Sequence, residues 1–126
     1  MAKPILTLLI AGALLFANSV AQAAELLMLE QKGCAWCQRW DQEIAPIYPK
    51  TEHAENVPLR RVDISEPWPE DLSKIRREVF TPTFILVDDG EEIARMRGYN
   101  GDEFFWFLLN EMMSKLKEDQ RSKQPA

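Results

Sequence analysis

Cys34 and Cys37 are the only cysteines in the chain, and they stand within the stretch Lys32-Gly33-Cys34-Ala35-Trp36-Cys37. A Cys-x-x-Cys pair can cycle between dithiol and disulfide, contribute to a soft metal site, or form part of a haem attachment. The flanks favour redox cycling. Leu26-Leu27-Met28-Leu29 reads as a short buried strand just before the pair, and Gln38 to Ala45 has helical composition until Pro46 interrupts. At a strand-to-helix turn the first helical N–H groups point outward without partners, and together with the helix dipole they favour a thiolate over a thiol. Cys34 is then the accessible nucleophile. Cys37, roughly one turn in, is the resolving thiol that closes the disulfide. Lys32 adds a screened electrostatic contribution. Trp36 is expected at the surface rim as a substrate contact, and Trp40 in the packing.

The competing chemistries need residues that are missing. A c-type haem site requires His directly after the second cysteine, where Gln38 stands. A Zn or Cu carrier needs more soft ligands than two cysteines, short of dimerisation. The one histidine, His53, sits in the polar stretch Lys50 to Asn56 without a partner cluster. No metal and no cofactor are expected. A structural disulfide is the blander reading, but so small a loop constrains the unfolded chain little. Two alternatives stay open: a non-catalytic binding module with a structural disulfide, and a disulfide donor. The net charge of −5 argues against a nucleic-acid surface and a polybasic membrane patch.

The N-terminus bears on the redox setting. Met1 to Lys3 is a short positive start, Ile5 to Ala17 is an apolar run, and Ala21-Gln22-Ala23 fits a small-x-small cleavage site. Residues 1–23 are expected to be a signal peptide, since the run is short of the 20 or so apolar residues that span a bilayer. The mature chain is then exported, in a bacterium to the periplasm, an oxidising compartment.

The elements that position the cysteines follow from periodicity. Glu25 to Glu30 is a strand and Cys34 to about Ala45 a helix, ended by Pro46-Ile47-Tyr48-Pro49. Lys50 to Asn56 reads as a loop and Val57 to Ile64 as the second strand. Leu72, Ile75 and Val79 have helical spacing, which predicts a second helix from Pro69 to Phe80. Phe84 to Val87 is a buried strand, Asp88-Asp89-Gly90 a tight turn, and Glu91 to Arg97 the returning strand. Asp102 caps a last helix from Glu103 to about Lys117. That helix is apolar almost all round, which leaves Trp106 and Phe107 as candidates for an interface with a partner or a second copy. The order β-α-β-α-β-β-α predicts one α/β domain over residues 24–117 with a mixed sheet, and a flexible tail over 118–126.

This order, with Cys-x-x-Cys at the first helix and Thr81-Pro82-Thr83-Phe84 about 45 residues on, resembles the thioredoxin superfamily over nearly all of the chain beyond residue 23. The resemblance implies a minimal thioredoxin-like fold and thiol–disulfide oxidoreductase activity. It further implies a cis Thr81–Pro82 bond packed against the disulfide, with Thr81 pairing to an extended substrate segment. The segments 33–37, 48–51, 81–90 and 98–106 are similar to small periplasmic thioredoxins of the SoxS type, associated with bacterial sulfur-oxidation clusters. That similarity implies reduction of a disulfide in a specific exported protein, with a membrane electron donor keeping the pair reduced. Three positions depart from the common thioredoxin pattern: Gly33 replaces a tryptophan, Ala35-Trp36 replaces Gly-Pro, and Met28 stands where a buried acid serves proton transfer. Glu30, on the same strand face as Met28, is the candidate replacement.

Overall fold

The computed structural model describes residues 23–125. The signal peptide expected over residues 1–23 lies, but for its last residue, outside the described residues. Strand β1 (Glu25–Glu30) runs through the middle of the molecule: Leu26, Leu27, Met28 and Leu29 are all fully buried. Such an unbroken apolar run is what a strand covered on both faces requires. β2 (Leu59–Asp63) pairs parallel to β1, β3 (Thr83–Asp88) antiparallel on its other side, and β4 (Glu91–Arg97) antiparallel to β3. The sheet order is β2-β1-β3-β4. The β3–β4 turn places Asp89 at φ 51° and Gly90 at φ 74°. Two consecutive left-handed residues are the primed-turn geometry that matches hairpin twist, and Asp-Gly adopts it readily.

Strand alternation sorts the core into two layers. On one face, the upper layer, Leu26, Met28, Phe84, Leu86 and Met96 pack with Trp40 of α1 (Ala35–Glu43) and with Ile44, which caps that helix. Phe105, Leu109, Met112 and Leu116 of α3 (Asp102–Ser122) complete this layer. On the other face Leu27, Leu29, Val62, Ile85 and Val87 are covered by Leu72 and Ile75 of the chain between β2 and β3, with Ile64 and Trp68 packed against them from the same segment.

There the expected second helix is absent. The segment makes one 3₁₀ turn, Glu70–Leu72, and then runs irregularly to Thr83. The physical reason lies in the acceptors and donors a helix would have used. The Leu72 carbonyl accepts from the Trp68 indole at 2.8 Å and from Ile75 N–H at 2.9 Å. Arg95 donates to the Arg76 carbonyl at 2.8 Å, and the Glu78 carboxylate accepts from the N–H groups of Val79 and Phe80. Leu72 and Ile75 are buried as their spacing predicted, but Val79 is left 84% exposed.

Other boundaries also move. The stretch read as a loop contains a short helix, α2 (Glu52–Asn56), capped by Thr51, whose hydroxyl accepts from Ala54 N–H. His53 on it stacks against Trp106, which also stacks on Tyr48. Trp106 is therefore engaged in packing within the chain, and only Phe107 of the two interface candidates stands out in solvent, 59% exposed. The tail expected from residue 118 is helical to Ser122, steadied by Lys123–Asp119 at 2.8 Å and by Gln120, which donates to Asp88 of β3.

Candidate functional site

The cysteines sit at the start of α1. Cys34 is the N-cap, in extended conformation (φ −81°, ψ 100°), so its side chain faces the open end of the helix. Cys37 lies one turn in, 4% exposed and part of the upper core with Met28 and Trp40. The two are joined as a disulfide with a Cα–Cα distance of 5.2 Å. The backbone N–H of Cys37 donates to Cys34 Sγ at 3.1 Å. This is one of the orphan donors of the first helical turn, and charge on Cys34 sulfur would gain from it and from the helix dipole. The half-buried, donor-facing sulfur is thus Cys34, with Cys37 beneath it.

Thr81 and Pro82 are linked to the turn before the cysteines through Gln31. The Thr81–Pro82 peptide is cis, and Pro82 is buried. Gln31, whose carbonyl accepts from Cys34 N–H at 3.4 Å, donates through Nε2 to the Thr81 hydroxyl at 3.2 Å. The turn before the cysteines and the proline turn are tied together by this one side chain. Gly98 N–H donates to the Pro82 carbonyl at 2.7 Å, which brings the β4–α3 turn to the same rim.

Trp36 projects outward, 52% exposed, with the Arg39 guanidinium 5.5 Å from its ring centroid. Arg39 pairs with Glu43 at 2.8 Å, and Glu43 accepts a short hydrogen bond from the buried Tyr99 hydroxyl. The Tyr99 bond first, and then the Arg39 bond, hold the Glu43 carboxyl below the usual carboxylate range. Burial first, and then the Glu43 bond, push the Tyr99 hydroxyl up. This chain of contacts links the residue between the cysteines to the turn beside Pro82. Only its Arg39–Glu43 step was readable as an i,i+4 pair; Tyr99 is 56 residues from Glu43.

Glu30 lines a hollow of about 310 Å³ with Cys34, Cys37, Lys32, Asp41 and Asp63. It accepts from Arg61 at 2.6 Å, and the same guanidinium donates to Asp41 at 2.5 Å while lying 5.6 Å from the Trp40 ring centroid. Arg61 is opposite Met28 in the parallel β1–β2 register. Sequence reasoning missed Arg61 and Asp41, because no spacing rule brings a β2 residue onto α1. Among the described residues no group of three or more His, Cys, Asp or Glu could hold a metal ion.

No protein-family model and no curated protein matches the chain. Solved structures do. The periplasmic thioredoxin SoxS from Paracoccus pantotrophus, in its reduced form, is 42% identical with a TM-score of 0.70, and the match covers 74% of this chain and 98% of that one. A thioredoxin from Thermus thermophilus matches at 21% identity and TM-score 0.55, covering 73% of this chain and 72% of that one. A thioredoxin from Malassezia sympodialis matches at 18% and 0.52, covering 73% and 77%. The last two carry the fold alone. With nearly the whole of SoxS matched and a helix-capping cysteine bonded to its buried neighbour, the chain belongs to the thioredoxin family and is a thiol–disulfide oxidoreductase.

Proposed function

We propose that this protein is an exported, periplasmic reductase that passes two electrons from Cys34 and Cys37 to a disulfide in a specific protein partner. The observation that carries the reading is the half-buried Cys34 sulfur facing the Cys37 N–H, with Cys37 buried directly behind it. In the dithiol form the Cys34 thiolate attacks one substrate sulfur; a Cys34–substrate disulfide forms and the other substrate sulfur leaves as thiolate. Cys37, losing its proton, then attacks Cys34 and expels the second substrate thiolate, which is protonated. One disulfide is made for one broken. A membrane electron donor restores the dithiol, since an oxidising compartment does not. The similarity to a periplasmic thioredoxin supports the compartment. Trp36, Thr81 and Pro82 frame the substrate segment around the attacked sulfur. The reduction potential tests the direction: a value near −270 mV, about that of thioredoxin, is expected, and one near −120 mV would make the protein a disulfide donor instead.

The same reading gives Glu30 the proton of Cys37. It borders the hollow in which Cys37 lies, and Met28 leaves no carboxylate deeper on that strand face. Glu30→Gln is expected to slow release of substrate from the mixed disulfide by about 10²-fold, within the range of general-base contributions, while the first attack keeps its rate. Stopped-flow Trp fluorescence on both steps, across pH 5 to 9, checks this. An unchanged second step with an unchanged pH profile would remove Glu30 from the mechanism.

A further inference from the structure

Phe80 stands directly before the cis Thr81–Pro82 peptide, and its main chain and ring are both held. Its N–H donates to Glu78 Oε1 at 3.2 Å, and its carbonyl accepts from the hydroxyl of the buried Thr83 at 2.6 Å. The Arg97 guanidinium lies over its ring, 5.0 Å from the centroid. Glu78 is common to most of these contacts. Its Oε1 also takes the Val79 N–H at 3.0 Å, while Oε2 faces Arg97 Nε at 3.0 Å and Arg95 at 3.7 Å. Arg95 is fixed in turn: its side chain is 8% exposed, paired with Glu92 and donating to the Arg76 carbonyl at 2.8 Å. The Glu78 side chain is itself 12% exposed. The Phe80 N–H first, and then the Val79 N–H and Arg97, hold its carboxyl below the usual carboxylate range. One carboxylate therefore ties β4 to the two residues that precede Thr81. The ladder between β3 and β4 begins at Thr83 and Arg97, so the main chain of Thr81 lies beyond it.

We propose that Glu78 is a positioning residue for disulfide exchange: held by Arg95 and Arg97, its carboxylate fixes Val79 and Phe80 and so presents the Thr81 main chain to the substrate segment joined to Cys34. The inference deepens the proposed function and rests on its reading that this segment passes at Thr81. The need for such a residue is local. A helix over residues 69–80 would have tied the N–H groups of Val79 and Phe80 to its own carbonyls, and the chain is irregular there. Without Glu78 those two donors turn to water, and the residue after them loses its fixed direction. A main chain ordered beforehand has less conformational entropy to lose when a second strand pairs with it. Both carboxylate oxygens are used, one by main-chain donors and one by guanidinium groups, and charge-assisted bonds of this kind are the strong ones. Their burial keeps salt from screening them. A purely stabilising Glu78 would affect every substrate alike. A positioning Glu78 affects those whose main chain can pair.

The test uses Cys37→Ser protein, in which Cys34 holds β-mercaptoethanol as a mixed disulfide. Two serine-rich peptides with a single cysteine are equilibrated against it, one with free amides and one N-methylated at the residues on both sides of the cysteine. One disulfide and one thiol stand on each side of that exchange. The ratio of the two constants, divided by the same ratio measured against β-mercaptoethanol disulfide without protein, reports pairing of the peptide main chain. With Glu78 intact the preference for free amides is expected to be about tenfold, the factor of one to two net hydrogen bonds. Glu78→Ala is expected to bring it below about twofold. Glu78→Gln keeps an oxygen for the two N–H groups but turns a donor towards Arg97, and is expected to lie between, at about threefold. A preference that stays tenfold in the alanine variant, with both peptides weakened equally or not at all, overturns the positioning role. Should the alanine variant not fold, the glutamine variant decides, and an unchanged preference there overturns the role in the same way. No preference in the parent protein overturns pairing at Thr81 and the role of Glu78 together. Failure to take up either peptide overturns the exchange chemistry itself, a result distinct from uptake without preference.

Discussion

Cys34→Ser is expected to lower turnover of a disulfide substrate by at least about 10⁴-fold, to the background of the assay, because removing a nucleophile leaves only binding and electrostatics. Cys37→Ser gives a different defect. Its Cys34 still caps α1 and still faces the N–H of residue 37, since that donor belongs to the backbone. Attack therefore proceeds, and the mixed disulfide accumulates for want of a resolving thiol. Mass spectrometry of the two variants after mixing with an oxidised peptide separates the roles: one adduct per chain for Cys37→Ser and none for Cys34→Ser. Adducts on Cys34→Ser alone would reverse the assignment of attacking and resolving sulfur. Full turnover by Cys34→Ser would leave the disulfide a structural link and move the activity elsewhere.

That experiment bears on residues that could be read directly, and the reason is local. Chemistry at a helix N-terminus depends on neighbours in sequence, so Cys34, Cys37 and the turn between them were legible, as were β1 and β4 from their patterns and the hairpin from Asp89-Gly90. The misreadings share a different cause. Between residues 69 and 80 the apolar spacing was helical, but Trp68, Arg95 and the Glu78 side chain take the backbone groups a helix would pair. Hydrophobic periodicity records which side chains are buried and carries no information about which carbonyls are already bonded. The short helix α2 likewise depends on a cap at Thr51 and on His53 stacking against Trp106 from a distant element. At the site, the couplings that cross elements were invisible for the same reason: Gln31 to Thr81, Arg61 to Glu30 and Asp41, and Tyr99 to Glu43. Each needs the register of the sheet before it can be drawn. The resemblance supplied the cis-proline position but not the exposed flank of α3, which depends on which side of that helix the sheet uses.

The largest expected effect on stability lies at Trp40, three residues after Cys37 on the buried side of α1. It is fully buried, its ring 5.3 Å from Phe84 on β3 and 5.8 Å from Phe105 on α3, and it joins the helix of the cysteines to both other parts of the upper layer. Trp40→Ala is expected to cost about 3–5 kcal/mol, the usual price of an aromatic-to-alanine cavity. Against a total of about 5–15 kcal/mol for a domain of this size, that is a substantial share. Thermal unfolding should show a fall in Tm of roughly 15–30 °C. Trp40→Phe is the discriminating partner. The Trp40 indole N–H is buried and has no hydrogen-bond partner among the described residues, so its loss removes a desolvated donor along with apolar area. The two terms oppose each other, and Trp40→Phe should cost less than half as much as Trp40→Ala in urea titrations at equal m-value. Equal losses for the two variants would mean that the indole contributes through its contact with Arg61, 5.6 Å from the ring centroid, more than through the volume it fills. The exchange rate at Cys34 follows the same helix: Trp40 sets the rotation of α1 that keeps Cys37 inward and Cys34 at the rim. A Trp40→Phe protein that folds is therefore expected to retain exchange with β-mercaptoethanol disulfide, whereas Trp40→Ala should lose it in parallel with its folded fraction.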